Sequence, residues 1–270
     1  MSDVSSKKLH ADIQACFASM RATNPLVHCI TNYVAMNISA NVLLAAGASP
    51  AMVHSPEESG EFAAIASSLT VNIGTLSPHW IEGMKNAANA ANEAGKPWVL
   101  DPVAHFATSL RREAAADLMA LKPTIVRGNA SEIMALAGEA SSGQGVDAGD
   151  EVAAAEGAAR ALAKQHDCVV AVTGEIDFVC DANREARIAG GSALMSQITA
   201  MGCSLTTLVG AFAAVEKDAF LATAASLALF AEAGTWTAQT AKGPGSFAWQ
   251  FLDQLTALQP EDISADRVVA

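Results

Sequence analysis

The chain has 270 residues, of which 51% are hydrophobic and 16% charged, a balance that supports one large buried core and excludes a disordered chain. Sixteen Lys and Arg stand against 28 Asp and Glu, a formal charge of −12; with no basic stripe a nucleic-acid partner is excluded, and any nucleotide site needs local cations or a metal. The five cysteines form neither a CxxC pair nor a zinc-ligand spacing, so reduced thiols and a cytoplasmic location are expected.

The N-terminus lacks the apolar core of a secretory signal. Residues 5–21 place Leu9, Ile13, Cys16, Phe17 and Met20 on one helical face, and Asn24-Pro25 ends that helix. A strand follows over 26–30, broken by Thr31-Asn32, then a helix over 34–46 closed by Gly47. A short extended piece over 49–53 contains Met52, and Ser55-Pro56-Glu57-Glu58 reads as a helix start. Further strands are expected over 69–73, 97–100, 124–126 and 168–172. They alternate with helices over 78–95, 108–121, 130–137 and 151–165, and a Gly/Ser/Asp-rich loop covers 138–150. A hairpin over 176–180 and 184–189 turns at Asp181-Ala182-Asn183. Three apolar helices near 203–216, 218–240 and 246–257 complete the chain, with a polar, mobile tail over about 259–270. The long run near 219–233 is interrupted by Thr223, Ser226 and Glu232, so it reads as a buried helix and not a membrane span.

Alternating strands and helices predict a three-layer α/β fold, a parallel sheet with helices on both faces, and no linker or repeat divides residues 1–270 into more than one domain. Ligands of such folds bind beyond the carboxyl ends of the strands. The residues there are Asn32, Met52, Gly74, Thr75, Asp101, Arg127 and Thr173.

Residues 198–214 combine a small, polar start with an apolar helix whose Leu205, Leu208, Val209 and Phe212 share a face. Gly202 permits close backbone approach, and Cys203 then sits at a helix N-terminus, where unpaired N–H groups attract phosphate and lower a thiol pKa. The alternative is a tight packing joint with a buried cysteine. No P-loop is present, since Gly138 and Gly143 have the first spacing but Gln144 follows; no Gly-x-Gly-x-x-Gly follows the first strand. Asp101 is open to two readings, a turn aspartate or a metal-side carboxylate. Glu132 has the spacing of a capping box with Asn129, which leaves Arg127, a cation ending an apolar strand, unexplained. His28 or His54 as a partner of Cys203 would make a thiol nucleophile pair; the competing reading is a hydrogen-bonded core histidine.

Several stretches resemble the hydroxyethylthiazole kinases of the ribokinase-like superfamily. These are Asn24-Pro-Leu-Val-His-Cys-Ile-Thr-Asn32-Tyr33-Val34, Ala48-Ser-Pro-Ala-Met52, Asn72-Ile-Gly-Thr-Leu76, Leu100-Asp-Pro-Val103, Val126-Arg-Gly-Asn-Ala-Ser-Glu132, Val172-Thr-Gly-Glu-Ile-Asp-Phe178 and Gly202-Cys203, in order over roughly residues 20–250. The resemblance implies transfer of the ATP γ-phosphate to 4-methyl-5-(2-hydroxyethyl)thiazole in thiamine salvage, with magnesium. It implies a homotrimer with sites near subunit interfaces. It also implies substrate contacts at Met52, Asn32, Gly74, Thr75 and Ala200, ATP contacts at Arg127 and Thr173, magnesium-side carboxylates at Asp101 and Glu132, Cys203 as base, and an anion hole from the amides of Met201, Gly202 and Cys203. The family's Gly-Thr-Gly-Cys turn is Ala200-Met201-Gly202-Cys203 here. A methyl at Ala200 resists positive φ, and the bulkier Met201 is expected to affect clearance and rate. The alternatives are a related kinase of another small alcohol, such as a pyrimidine or pyridoxal, a nucleotide-binding protein with reduced turnover, and a Cys/His acyl-transfer enzyme.

Overall fold

The computed structural model describes residues 3–138 and 148–269. Helix α1 (Asp3–Thr23) leads into β1 (Leu26–Ile30), α2 (Met36–Ala46), β2 (Ser49–Ala51), α3 (Ser59–Ile65) and β3 (Ser68–Asn72). Next come α4 (Pro78–Glu93), β4 (Trp98–Asp101), α5 (Ser109–Ala120), β5 (Ile125–Asn129), α6 (Ala130–Leu136), α7 (Ala148–His166) and β6 (Val169–Thr173). The hairpin β7 (Ile176–Cys180) and β8 (Glu185–Ala189) precedes α8 (Met201–Ala213), α9 (Ala219–Ala238), α10 (Pro244–Ala257) and a short β9 (Val268–Val269). The strands form one sheet in the order β2-β1-β3-β4-β5-β6-β7-β8-β9. The first six in that order are parallel, and the hairpin and β9 extend the sheet antiparallel.

The period of two along each strand separates two cores. Val27 and Cys29 of β1, Val99 of β4, Ile125 of β5 and Ala171 of β6 face one layer, with Phe17, Leu43, Phe212, Leu227 and Phe251 from α1, α2, α8, α9 and α10. Ile30, Val71, Leu100, Val126 and Val172 face the other, with Ala63, Met84, Leu118, Ile133 and Leu162 from α3 to α7. Each fully buried Leu or Phe of this kind contributes about 1.5–3 kcal/mol. Gly210 lets α8 lie directly on β3, because a side chain there would collide with Thr70. Helix α9 is long and apolar enough to cross a membrane by composition, but it is buried against α1, α8 and α10.

Two expectations change, and a third falls largely outside the described residues. Ser55–Glu58 forms a turn ahead of α3 instead of its first turn: Glu58 is the N-cap and makes no side-chain cap. The expected 138–150 loop falls mostly at 139–147, outside the described residues. The tail is not mobile over 260–269, because Val268 and Val269 pair with Ile188 and Arg187 of β8. Ile263 and Val268 are buried, and Glu232 anchors the segment by accepting from Ser264 N at 3.0 Å and pairing with Arg267 Nε at 3.0 Å. The Glu232 that interrupts the apolar helix in sequence is thus the tail's attachment point.

Candidate active site

Five adjacent parallel strands end on one side of the sheet, and residues at or near those ends form a connected polar array. The register of β3 and β4 sets Asn72 beside Asp101. Asn72 Nδ2 donates to Asp101 Oδ2 at 2.7 Å, and Thr206 Oγ1 of α8 donates to the same oxygen at 2.8 Å. Asn32, just past β1, donates through Nδ2 to Asn72 Oδ1 at 2.9 Å and to Cys203 Sγ at 3.4 Å. Its Oδ1 accepts the amides of Val34 and Ala35, which fixes the carboxamide. The chain of contacts therefore runs from Cys203 through Asn32 and Asn72 to Asp101.

Arg127 enters from β5. Its Nη1 lies 3.6 Å from Asp101 Oδ2, and Nη2 donates to Thr173 Oγ1 at the end of β6. A Cβ at Gly202 would fall 2.8–3.2 Å from the guanidinium, so glycine is what lets α8 begin against Arg127. No side chain caps α8. An uncapped helix N-terminus and a guanidinium side by side concentrate positive potential where an anion would bind.

Ala200 adopts the left-handed conformation that the sequence warned against, with φ 62° and ψ 12°. The turn is kept at a steric cost of about 1 kcal/mol. An Ala200→Gly chain is expected to be about 1 kcal/mol more stable in denaturant unfolding, since glycine has no Cβ to strain there; equal or lower stability would show that the turn is relaxed with alanine. Met201 is buried and belongs to the core on the α1, α2, α8, α9 and α10 side of the sheet.

The thiol of Cys203 also departs from expectation. Burial pushes its pKa up, and the Asp101 carboxylate adds to this; hydrogen bonds from Asn32 and Asn72 and the charge of Arg127 act against it without reversing the direction. Burial also pushes Asp101 up to about 6, opposed by Arg127 and by the Thr206 and Asn72 hydrogen bonds. Among the described residues, Asp101 Oδ1 is a buried oxygen with no hydrogen-bond partner. Glu132 completes the capping box, with Oε2 accepting from Asn129 N at 2.9 Å, while Oε1 accepts from Ala104 N at 3.0 Å. Each oxygen keeps a second lone pair.

His28 donates to or accepts from no group of this array. It contacts Val53 O at 2.7 Å, packs edge-on to Phe62, and burial lowers its pKa to about 4. His54 packs on Trp80. The Cys–His pair therefore lacks geometric support. Met52 and Thr75 sit half-buried beyond the ends of β2 and β3. Sequence reasoning missed Asn72 and Thr206. Asn72 ends an apolar strand, which was a usable signal; Thr206 lies inside an apolar helix, where a threonine reads as filler.

A cleft of about 790 Å³ opens at the opposite end of the sheet, lined by Lys122, His166, Asp181, Arg184, Lys217 and Asp218. Its lysines are exposed and Arg184 is already paired with Asp181 and Asp218. Convergent polar groups, not volume, mark the site.

The sheet order, the helices on both faces and the array beyond the strand ends define a ribokinase-like α/β kinase fold. A ribokinase-like superfamily protein from Enterococcus faecalis V583 superposes with a TM-score of 0.65 at 12% identity over 92% of this chain and 89% of that one, a likeness of fold alone. The hydroxyethylthiazole kinase family model matches residues 17–261, and the chain belongs to that family. It is 67% identical to the hydroxyethylthiazole kinase of Rhizobium etli (strain CIAT 652) over 248 residues, 92% of this chain and 96% of the relative. The structure of the hydroxyethylthiazole kinase from Pyrococcus horikoshii OT3 superposes with a TM-score of 0.86 at 37% identity, covering 93% and 95% of the two chains.

Proposed function

We propose that this chain transfers the γ-phosphate of ATP to the hydroxyl of 4-methyl-5-(2-hydroxyethyl)thiazole, a salvage step toward thiamine. The observation that carries the reading is the uncapped start of α8, with Arg127 packed against Gly202 and Cys203 tied through Asn32 and Asn72 to Asp101. Phosphoryl transfer asks mainly for positioning and neutralisation of charge. Arg127 and the amides of Met201, Gly202 and Cys203 meet the transferring phosphate, and Thr173 fixes the guanidinium and flanks ATP. The alcohol lies among Met52, Asn32, Gly74, Thr75 and Ala200. Cys203 orients the hydroxyl; its thiolate form, which burial disfavours, is the one that accepts the hydroxyl proton as the bond to phosphorus forms and the bond from the γ-phosphate to ADP breaks.

Asp101 and Glu132 would hold the cation of this reading, Mg2+, which would supply neutralisation of phosphate charge. The unpartnered Oδ1 of Asp101 and the spare lone pairs of Glu132 suit a hard cation. A homotrimer in the cytoplasm is the assembly we propose; Tyr33 and Val34, 66% and 62% exposed and next to Asn32, suit a subunit contact close to the site. One domain is supported by the single sheet. The reduced-turnover alternative is weakened because Ala200 adopts the left-handed turn in place of glycine.

The test is ADP release with ATP and the thiazole alcohol, compared with pyrimidine and pyridoxal alcohols. Cys203→Ala is expected to lower kcat about 10²-fold, the low end of general-base contributions. Cys203→Asp is expected to retain more, since a carboxylate also accepts the hydrogen bond. A trapped phosphoryl- or acyl-cysteine, with Cys203→Asp inert, overturns the assignment.

A further inference from the structure

Helix α5 opens with Arg111 and Arg112 in its first turn, capped by Thr108. A helix N-terminus carries partial positive charge, so cations there are locally unfavourable. Local rules are broken most often where a tertiary role compensates. For Arg111 that role is visible. Its Nη1 donates to Ile73 O and to Val103 O, both at 2.8 Å, and its Nη2 donates to Gly74 O at 2.8 Å. One guanidinium thus binds three carbonyls from the two turns that follow β3 and β4. Charge-assisted bonds from a rigid planar fork hold geometry better than a lysine ammonium does.

Both turns carry the site. Gly74 N donates to Asn72 Oδ1 at 2.9 Å, the oxygen that also accepts from Asn32, and Ile73 N donates to Asp101 O at 3.2 Å. Val103 lies two residues past Asp101, and the next residue, Ala104, has φ 47° and donates to Glu132 Oε1. A left-handed alanine persists only where its surroundings hold it. Arg111 grips this turn from one side and Glu132 from the other.

We propose that Arg111 is a positioning residue for the alcohol side of the site: by clasping the 73–74 and 103 carbonyls it holds the Asn32–Asn72–Asp101 array in register, without touching either substrate. The proposal rests on the kinase reading for its activity arm and on Cys203 chemistry for an arm independent of it. Arg111→Met keeps the stem and removes the fork, Arg111→Lys keeps one charge, and Arg111→Ala leaves room for added guanidinium ion. In Arg111→Met, KM for the alcohol is expected to rise about 10-fold and kcat to fall about 10- to 100-fold, the scale of a sub-ångström to 1 Å misplacement, while KM for ATP stays within about twofold. Arg111→Lys is expected to lie between Arg111→Met and the parent, and guanidinium ion to restore part of the loss in Arg111→Ala.

The second arm is the iodoacetamide alkylation rate of Cys203 in the folded protein, read by peptide mass; the other four cysteines are buried. That rate is expected to change at least about threefold in Arg111→Met, because the Asn32 contact to the thiol depends on the same turns. If the parent shows no kinase activity, the kinase reading fails and this arm still decides Arg111. If the Met chain does not fold, the Lys chain and guanidinium rescue decide it. Unchanged alcohol KM, kcat and alkylation in a folded variant overturn the proposal, as does an equal rise of both KM values with no rescue.

Discussion

A Gly74→Ala chain is expected to fold and to lose about 10²-fold in kcat/KM for the alcohol. The added Cβ would stand 2.5 Å from Asn32 Nδ2, 2.8 Å from its Cγ and 2.9 Å from Asn72 Oδ1. Real Cβ contacts do not come that close, so something must move. Asn32 is the least free to do so: its Oδ1 holds the amides of Val34 and Ala35 at the start of α2, and its Nδ2 holds Asn72 and Cys203. Gly74 does not have positive φ, so the effect is collision and not backbone strain. Overpacking of this kind costs about 1–3 kcal/mol of stability, within reach of a folded chain, whereas a displacement of about 1 Å among groups that orient a reacting hydroxyl costs about 10²-fold in rate. Gly60→Ala is the control, because its Cβ would meet nothing nearer than 3.6 Å. Steady-state kinetics with each substrate varied, together with thermal unfolding, separate the two effects. A Gly74→Ala chain with parent-like kcat/KM would mean that the Asn32–Asn72 pair is not needed for catalysis.

The alternation of strands and helices was legible because each strand is a short apolar run bounded by turn residues, and the strand ends were placed within two residues except for β5, which runs three residues further, to Asn129. That was enough to bring Asn32, Gly74, Asp101, Arg127 and Thr173 to one side of the sheet. Facts that depend on pairing between distant strands were not legible. The Asn72–Asp101 register needs β3 and β4 aligned, which no local pattern encodes. The burial of Met201 needs α8 packed against α2 and α9. The Cys203 pKa was judged from the helix end, a local feature, whereas desolvation by the surrounding chain sets its direction. The tail was judged by its polarity, although Ile263, Val268 and the Arg267–Glu232 pair hold it.

Asp101→Asn is expected to reduce kcat by about 10²- to 10³-fold, the usual effect of removing one charge-stabilising group from a preorganised site, while leaving the fold at neutral pH no less stable. Three groups meet Asp101 Oδ2: the Asn72 amide, the Thr206 hydroxyl and, at 3.6 Å, Arg127. An asparagine oxygen in that position keeps the first two bonds, and its Nδ2 replaces the unpartnered Oδ1. What is lost is the negative charge, and with it the hard ligand on the phosphate side. The stability argument follows from proton linkage. Asp101 has its pKa raised from 3.8 to about 6 in the folded chain, so the native state binds its proton more tightly than the unfolded state does. That contribution is fully present below about pH 4 and is lost as pH rises through about 6. The asparagine chain lacks it, so its stability should fall less between pH 4 and 6 than the parent's. Asp177, also pushed up to about 6 by burial, leaves part of the slope in place. Denaturant unfolding at several pH values reads the slope, and ADP release reads the rate. A parent-like rate, or a variant whose stability falls more steeply than the parent's over that window, would remove Asp101 from the centre of the site.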